Sequence, residues 1–206
     1  AMCALLAAPL KRTRVISTLH TPSDQVSTGI RIFDGLIGAA GLYEEIVACS
    51  RSVADSYSGN STSYLQRLQV IENGVANQDC SRTASRSELL ARLGIPSQDS
   101  VAFSAGRLRP VKNYGIVVEA LEDAPGWHLV LAGAGSERAA LEALARDLNV
   151  SHRLHFLGRI PSSDVMTWLR SADAVVQPSR AEGLSIAVLE AMSLGCPILA
   201  SDIPAN

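Results

Sequence analysis

The stretch that decides the fold is Pro178–Pro197, PSRAEGLSIAVLEAMSLGCP. It follows Asp173–Gln177, a run that reads either as a short buried strand or as the end of a helix. Pro178, Ser179 and Gly183 break that pattern, and Leu184–Leu194 is then apolar almost all round. Gly195 and Pro197 form a helix stop, a C-terminal glycine followed by a proline. Ile198–Ser201 reads as the next strand. A strand, a turn, a helix apolar on all sides and another strand make a crossover unit of a parallel sheet.

Two carboxylates interrupt this apolar unit, Glu182 in the turn and Glu190 inside the helix. A carboxylate on a buried helix is costly unless it is paired or hydrogen-bonded. Glu182 precedes the expected helix N-terminus, where the N–H groups of Gly183, Leu184 and Ser185 would face an anion. Glu190, two turns on, is placed to accept hydrogen bonds from hydroxyl groups. The structural alternative is that Glu182 caps the helix and Glu190 meets an arginine.

The pattern P-S-x-x-E-G-x-x-x-x-x-L-E-A-M-x-x-G-x-P, with Glu182 and Glu190 as its E-x7-E pair, resembles the signature of retaining GT-B glycosyltransferases of family 4. The match includes Pro178, Ser179, Gly183, Ala191, Met192, Gly195 and Pro197, which is far more specific than two glutamates. The resemblance implies that Glu190 binds the ribose of a nucleotide sugar and that Glu182 contacts the transferred sugar. It also implies that Gly183, Leu184 and Ser185 donate backbone N–H groups.

At 206 residues the chain is long enough for one domain or two small ones, and 47% hydrophobic content supports a packed core. A formal net charge of −2 gives no electrostatic reason to expect nucleic acid or an anionic membrane surface. Lys11, Arg12 and Arg14 cluster beside a strand and read as a solvated edge. Cys3, Cys49, Cys80 and Cys196 show no C-x-x-C spacing, so a reducing, cytoplasmic setting is expected. No stretch approaches the roughly 20 apolar residues of a membrane span. Met2–Leu10 lacks the basic start of a signal peptide.

In chain order, Arg14–Leu19 reads as a strand ending at His20, Thr21–Ser27 as loop, and Ile30–Leu42 as a helix with Phe33, Leu36 and Ile37 on one side. Glu45–Cys49 is a second strand, and Ser50 is a good N-cap for a short helix over Arg51–Tyr57. Ser58–Ser63 reads as loop, Leu68–Ile71 as a strand and Asn77–Ser87 as a linker. A strand ending in histidine, then IVACS, then VIENGV, resembles the last part of the family's N-terminal domain. The resemblance makes His20 a candidate near the donor sugar, against its reading as an ordinary loop residue.

Beyond the linker, strands and helices alternate. Helices are expected over Glu88–Leu93, Tyr114–Leu121, Ser136–Leu148 and Ser162–Leu169, the last capped by Ser162 or Ser163. Strands are expected over Ser100–Ser104, Trp127–Leu131 and Arg153–Leu157. The alternation predicts an α/β fold with a doubly wound, Rossmann-like parallel sheet. Expected domains are residues 1–80, part of an N-terminal, acceptor-side Rossmann-like domain, and 88–206, a C-terminal nucleotide-sugar-binding domain truncated at its end.

Polar clusters follow each expected strand: Gly106-Arg107 with Lys112, Gly133–Glu137, Gly158-Arg159 and Ser179–Ser185. In an open parallel sheet those loops share the edge where ligands bind. Arg107 and Lys112 can grip a diphosphate and stabilise charge on it as it leaves, and their G-R-L-x-x-x-K-N setting resembles the family's diphosphate loop. Gly133 and Gly135 form a G-x-G that is weak alone, but in the family this loop lines the nucleotide pocket. Arg159 and Ile160 resemble the segment whose backbone holds the base. Arg109 reads as solvent-facing, and His128 and His155 as core or sheet-face residues.

There is no D-x-D, and no histidine ligand spacing. The expectation is therefore a metal-independent retaining glycosyltransferase without a cofactor, taking a UDP-, GDP- or ADP-sugar. Its acceptor, a glycan, a lipid or a small molecule, is not identified. Partnership with nucleic acid is not expected, and nothing in the stretch supports peripheral membrane contact. Family members are longer, so a fragment, a shortened form or a degenerate copy is also expected as an explanation of the length. The alternative function is a nucleotide-sugar-binding module with no turnover of its own.

Overall fold

A computed structural model describes residues 14–75 and 84–206 as two α/β units, each around its own parallel sheet. One unit comprises Ala1–Gly74, Ala181–Ser185 and Ile203–Ala205, and the other Val75–Arg180, Ile186–Asp202 and Asn206. The Met2–Leu10 run, Lys11, Arg12, Cys3, Cys80 and the part of the expected linker before residue 84 lie outside the described residues.

In the larger unit the strands are β4 (Ser100–Ala105), β5 (Trp127–Ala132), β6 (Leu154–Gly158), β7 (Ala174–Gln177) and β8 (Ile198–Ala200). Their order is β6-β5-β4-β7-β8 and every pairing is parallel. Side chains alternate between two cores, as the period of two in a strand requires. Val101, Phe103, Val130 and Val175 enter the cluster that includes Leu89, Leu90, Met166, Trp168 and Ala191. Ala102, Leu129, Leu131 and Val176 enter the one that includes Val118, Leu141 and Ala145 on the other face. Helices therefore cover both faces, and β4, β5 and β7 are mostly apolar runs because both their sides are buried. The choice left open at Asp173–Gln177 resolves as a strand, with β7 seated between β4 and β8.

Helix ends follow the local chemistry. The helix Arg86–Leu93 starts on a capping box, Ser85 with Glu88, and stops at Gly94 in the left-handed region. Arg86 and Ser87, read from sequence as linker, are thus its first turn. The helix Ser162–Ser171 has Pro161 at its N-cap with no side-chain cap, so neither Ser162 nor Ser163 caps it. The apolar Leu184–Leu194 run becomes a helix only over Ile186–Ser193, which leaves Gly183–Ser185 outside it.

In the smaller unit β1 (Ile16–Leu19), β2 (Glu45–Ala48) and β3 (Leu68–Val70) pair in parallel in that order. A short helix, Thr62–Leu65, stands where loop was expected, begun by the Ser61 hydroxyl, which accepts from the Tyr64 N–H. The helix Thr28–Ala39 buries Asp34, Ile37 and Gly38, whereas Leu36, read from sequence on one side with Phe33 and Ile37, is 64% exposed. Phe33 is also exposed. The helix is rotated because Asp34 is a hydrogen-bonding centre: Tyr43 and Tyr64 each donate a phenol proton to it, at 2.6 and 2.7 Å. Gly38 admits the Tyr64 ring, since a Cβ there would lie 2.1 Å from Tyr64 Cδ2.

Candidate functional site

In the larger unit the chain runs outward from β4 to β6, then returns to place β7 on the other side of β4. The sheet thus has a switch point between β4 and β7, where the loops leaving adjacent strands part and open a crevice. Arg107 and Lys112 lie on the loop after β4, and Pro178–Arg180 on the one after β7. Gly133 and Gly135 follow β5, and Arg159 and Ile160 follow β6.

Backbone hydrogen bonds stitch these four loops together. Gly106 N–H donates to the Ala132 carbonyl at 2.9 Å and Gly133 N–H to that of Gly158 at 2.7 Å. Leu108 N–H donates to Ala134 at 3.1 Å, and Arg180 N–H to Val111 at 2.8 Å. Two glycines are obligatory here by close approach. A Cβ on Gly133, whose φ is +143°, would lie 1.8 Å from the Gly106 oxygen, and one on Gly135 would lie 2.1 Å from that of Leu108. The G-x-G motif is therefore a packing device that lets the β5 loop lie directly on the loop after β4.

The cations stand on this framework. Pro110–Lys112 is a single 3-10 turn, closed by Asn113 in the left-handed region, which brings Lys112 back over Gly106. Lys112 Nζ lies 3.6 Å from where a Gly106 Cβ would be. Tyr114, missed from sequence, is buried and places its hydroxyl 2.9 Å from the same point, while accepting a hydrogen bond from Ser104 at 3.3 Å. Its aromatic ring at the start of a predicted helix was the available signal. Arg107 and Arg159 are exposed. Arg109 is exposed too, and borders a cavity of about 420 Å³ with Tyr114, Glu137 and Arg180. Ile160 is half-buried and borders a second cavity, about 340 Å³, with Leu157 and Trp168.

Glu190 is half-buried on the Ile186–Ser193 helix, and burial pushes its carboxyl above the usual carboxylate range. Among the described residues no arginine pairs with it. An anionic oxygen pair held in partly apolar surroundings suits a ligand that donates hydroxyl protons. His128 and His155 stack on each other, with ring nitrogens 3.0 Å apart, and His128 meets Asp99 at 3.1 Å. His128 stands at the start of β5, the end of that strand away from the loops above.

In the smaller unit, His20 is exposed and directly follows β1. The segment Ala181–Ser185 groups with this unit, and Gly183 is packed against the His20 main chain. Glu182 is half-buried, and Gly183 and Ser185 are buried. Leu184 packs against the cluster formed by Leu19, Ile46 and Val53. The sequence-predicted residues thus fall into two groups, one in each unit: Arg107, Lys112, Gly133, Gly135, Arg159, Ile160 and Glu190 in the larger, and His20, Glu182, Gly183, Leu184 and Ser185 in the smaller.

Comparison with known proteins finds a family, a curated relative and two solved structures. The family model described as "Glycosyl transferases group 1" matches residues 85–206. D-inositol 3-phosphate glycosyltransferase of Mycobacterium tuberculosis (strain ATCC 25618 / H37Rv) is 33% identical over 142 residues, covering 66% of this chain and 29% of that protein. Anabaena Alr3699/HepE, solved in complex with UDP and glucose, superposes with a TM-score of 0.82 at 24% identity, covering 97% of this chain and 56% of that one. Sucrose-phosphate synthase from Thermosynechococcus elongatus superposes with a TM-score of 0.72 at 21% identity, over 97% of this chain and 54% of that one. The chain spans under a third of the length of the curated relatives it matches and about half that of the solved ones.

Proposed function

This chain belongs to the glycosyl transferases group 1 family, and we propose that it carries the nucleotide-sugar site of a retaining GT-B enzyme of family 4. The observation that carries this reading is the stitched set of loops at the switch point, which sets Arg107 and Lys112 beside the glycines of the β5 loop. That arrangement suits a diphosphate: arginine as a planar fork, lysine as a point charge, and backbone close enough to be approached. UDP is the first nucleotide to test, because the HepE structures hold UDP or UDP-glucose. GDP and ADP are the alternatives.

In the proposed reaction Glu190 accepts hydrogen bonds from the ribose hydroxyls and the Gly158–Ile160 backbone meets the base. The bond from the sugar's anomeric carbon to the diphosphate oxygen breaks, and its electron pair leaves on the diphosphate. Arg107 and Lys112 stabilise that charge without a proton transfer or a metal ion. An acceptor hydroxyl attacks the same face of the oxocarbenium-like sugar, passes its proton to an oxygen of the departing diphosphate and forms the new glycosidic bond with retention. Glu182, the Gly183–Ser185 turn and His20 serve the sugar. Residues 88–206 form the donor-binding domain in this reading, and the part within 1–80 contributes to the acceptor side. A cytoplasmic setting accords with Cys49 and Cys196 as free thiols. Among the described residues no helix is long and apolar enough to cross a membrane.

A second reading is a nucleotide-sugar-binding module with no turnover of its own. Release of UDP from a UDP-sugar, measured with and without candidate acceptors, separates the two. Acceptor-dependent release supports the enzyme, and saturable binding without release supports the module.

A further inference from the structure

We propose that Ser50 is a positioning residue that aims the Glu182–Ser185 turn through the carbonyl of Gly183. The inference rests on the reading above, in which that turn meets the transferred sugar. All the groups concerned belong to the smaller unit.

Ser50 lies two residues beyond β2 and is buried. Its hydroxyl makes two bonds at once: it accepts from the Val53 N–H at 3.2 Å, as the N-cap of the helix Arg51–Ser56, and donates to the Gly183 oxygen at 2.6 Å. A hydroxyl has one proton and two lone pairs, so the cap uses an acceptor site and leaves the proton for the turn. Residues 50 and 183 are 133 positions apart, so this bond is tertiary and not a local consequence of the cap.

Peptide geometry carries the effect onward. In a trans peptide the C=O and the following N–H point in opposite directions. With its oxygen held by Ser50, the Gly183–Leu184 peptide turns the Leu184 N–H away from Ser50. Two further contacts fix the turn. Gly183 lies so close to His20 that a Cβ would come within 2.0 Å of the His20 oxygen, and Leu184 is packed into the unit's core. A donor fixed before the ligand arrives costs less ordering on binding than a mobile loop. Removing the Ser50 proton leaves the buried Gly183 carbonyl unsatisfied and frees the peptide to rotate.

The test compares UDP and UDP-glucose binding by calorimetry in the unsubstituted chain, Ser50→Gly and Ser50→Thr. Glycine serves nearly as well as serine at an N-cap, so Ser50→Gly removes the donor with little loss of helix stability, whereas threonine keeps both bonds. The expected result is an unchanged UDP affinity in all three. The ratio of the UDP-glucose Kd to the UDP Kd should rise about tenfold in Ser50→Gly, the scale of one lost hydrogen bond, and stay at the parent value in Ser50→Thr. An unchanged ratio in Ser50→Gly, or equal weakening of both ligands, overturns the proposal. If the unsubstituted chain binds neither ligand, the nucleotide-sugar reading itself fails and the role of Ser50 with it. Melting curves accompany each variant. Should Ser50→Gly fail to fold, Ser50→Cys, a weak donor of similar size, gives the same readout.

Discussion

At the residue scale, Glu190, the proposed ribose ligand, carries an energetic cost of its own. Burial raises its carboxyl pKa in the fold. The folded state then holds the proton more tightly than the unfolded state, so this group's penalty is absent below the unfolded pKa and grows as pH rises through the folded one. Glu190→Gln should therefore raise the melting temperature of the unliganded chain at pH 7 while weakening nucleotide binding by about 1–3 kcal/mol. A variant that is neither more stable nor weaker in binding would remove Glu190 from the site. Lys112→Ala should lower kcat by at least tenfold with a smaller change in KM, because charge on the diphosphate grows only as the bond breaks. Equal changes in both would count against a role in leaving-group stabilisation. Glu182 and Glu190 were legible in the sequence because carboxylates stand out in an apolar run. Ser50 was legible only as a cap, since its bond to Gly183 depends on chain placement that no local pattern carries.

Among the elements, β4 and β5 were easy to recognise, since burial on two faces makes each a short apolar run between turns, whereas β7 read equally as the end of a helix. The Thr28–Ala39 helix was found, but Phe33, Leu36 and Ile37, read as one side, divide between the surface and the core. Its apolar residues lie all round, and the orientation is set by Asp34 with its two tyrosine partners, residues that a hydrophobic pattern counts as exterior. Asp34→Ala should accordingly cost about 2–4 kcal/mol of unfolding free energy, by leaving two buried phenols without their shared acceptor. A loss below about 1 kcal/mol in chemical denaturation would show that the packing of Ile37 and Gly38 fixes the helix instead. At the start of β6, burial and the charge of His128 and then of His152 hold His155 at about 4, below its ordinary value. The unfolded chain binds the proton more readily, so this contribution is complete above about pH 6.5 and is lost as pH falls toward 4. Its neighbours in that network are His128, His152 and, through His128, Asp99. Melting temperature should drop across that window, and His155→Phe should flatten the drop; an unaltered pH profile would contradict this.

For the whole molecule, the account depends on the loops that close-packed glycines and backbone hydrogen bonds assemble at one edge of the five-stranded sheet. The doubly wound order was legible from alternation alone, and the switch point follows from where β7 returns. The division of Pro178–Ser185 between two units was not, because the motif is continuous in sequence and only its packing assigns Ala181–Ser185 to the smaller one. Gly133→Ala tests the loops as a framework: with a Cβ 1.8 Å from the Gly106 oxygen, the β5 loop must move, costing about 2–4 kcal/mol of stability and displacing the loop after β4 with it. The most direct measurement of the central claim is calorimetric titration of the chain with UDP, GDP and ADP, beside the variant Arg107→Ala/Lys112→Ala. The account predicts saturable binding of one nucleotide and its loss in the double variant with the fold intact. Binding of equal strength in that variant would contradict it.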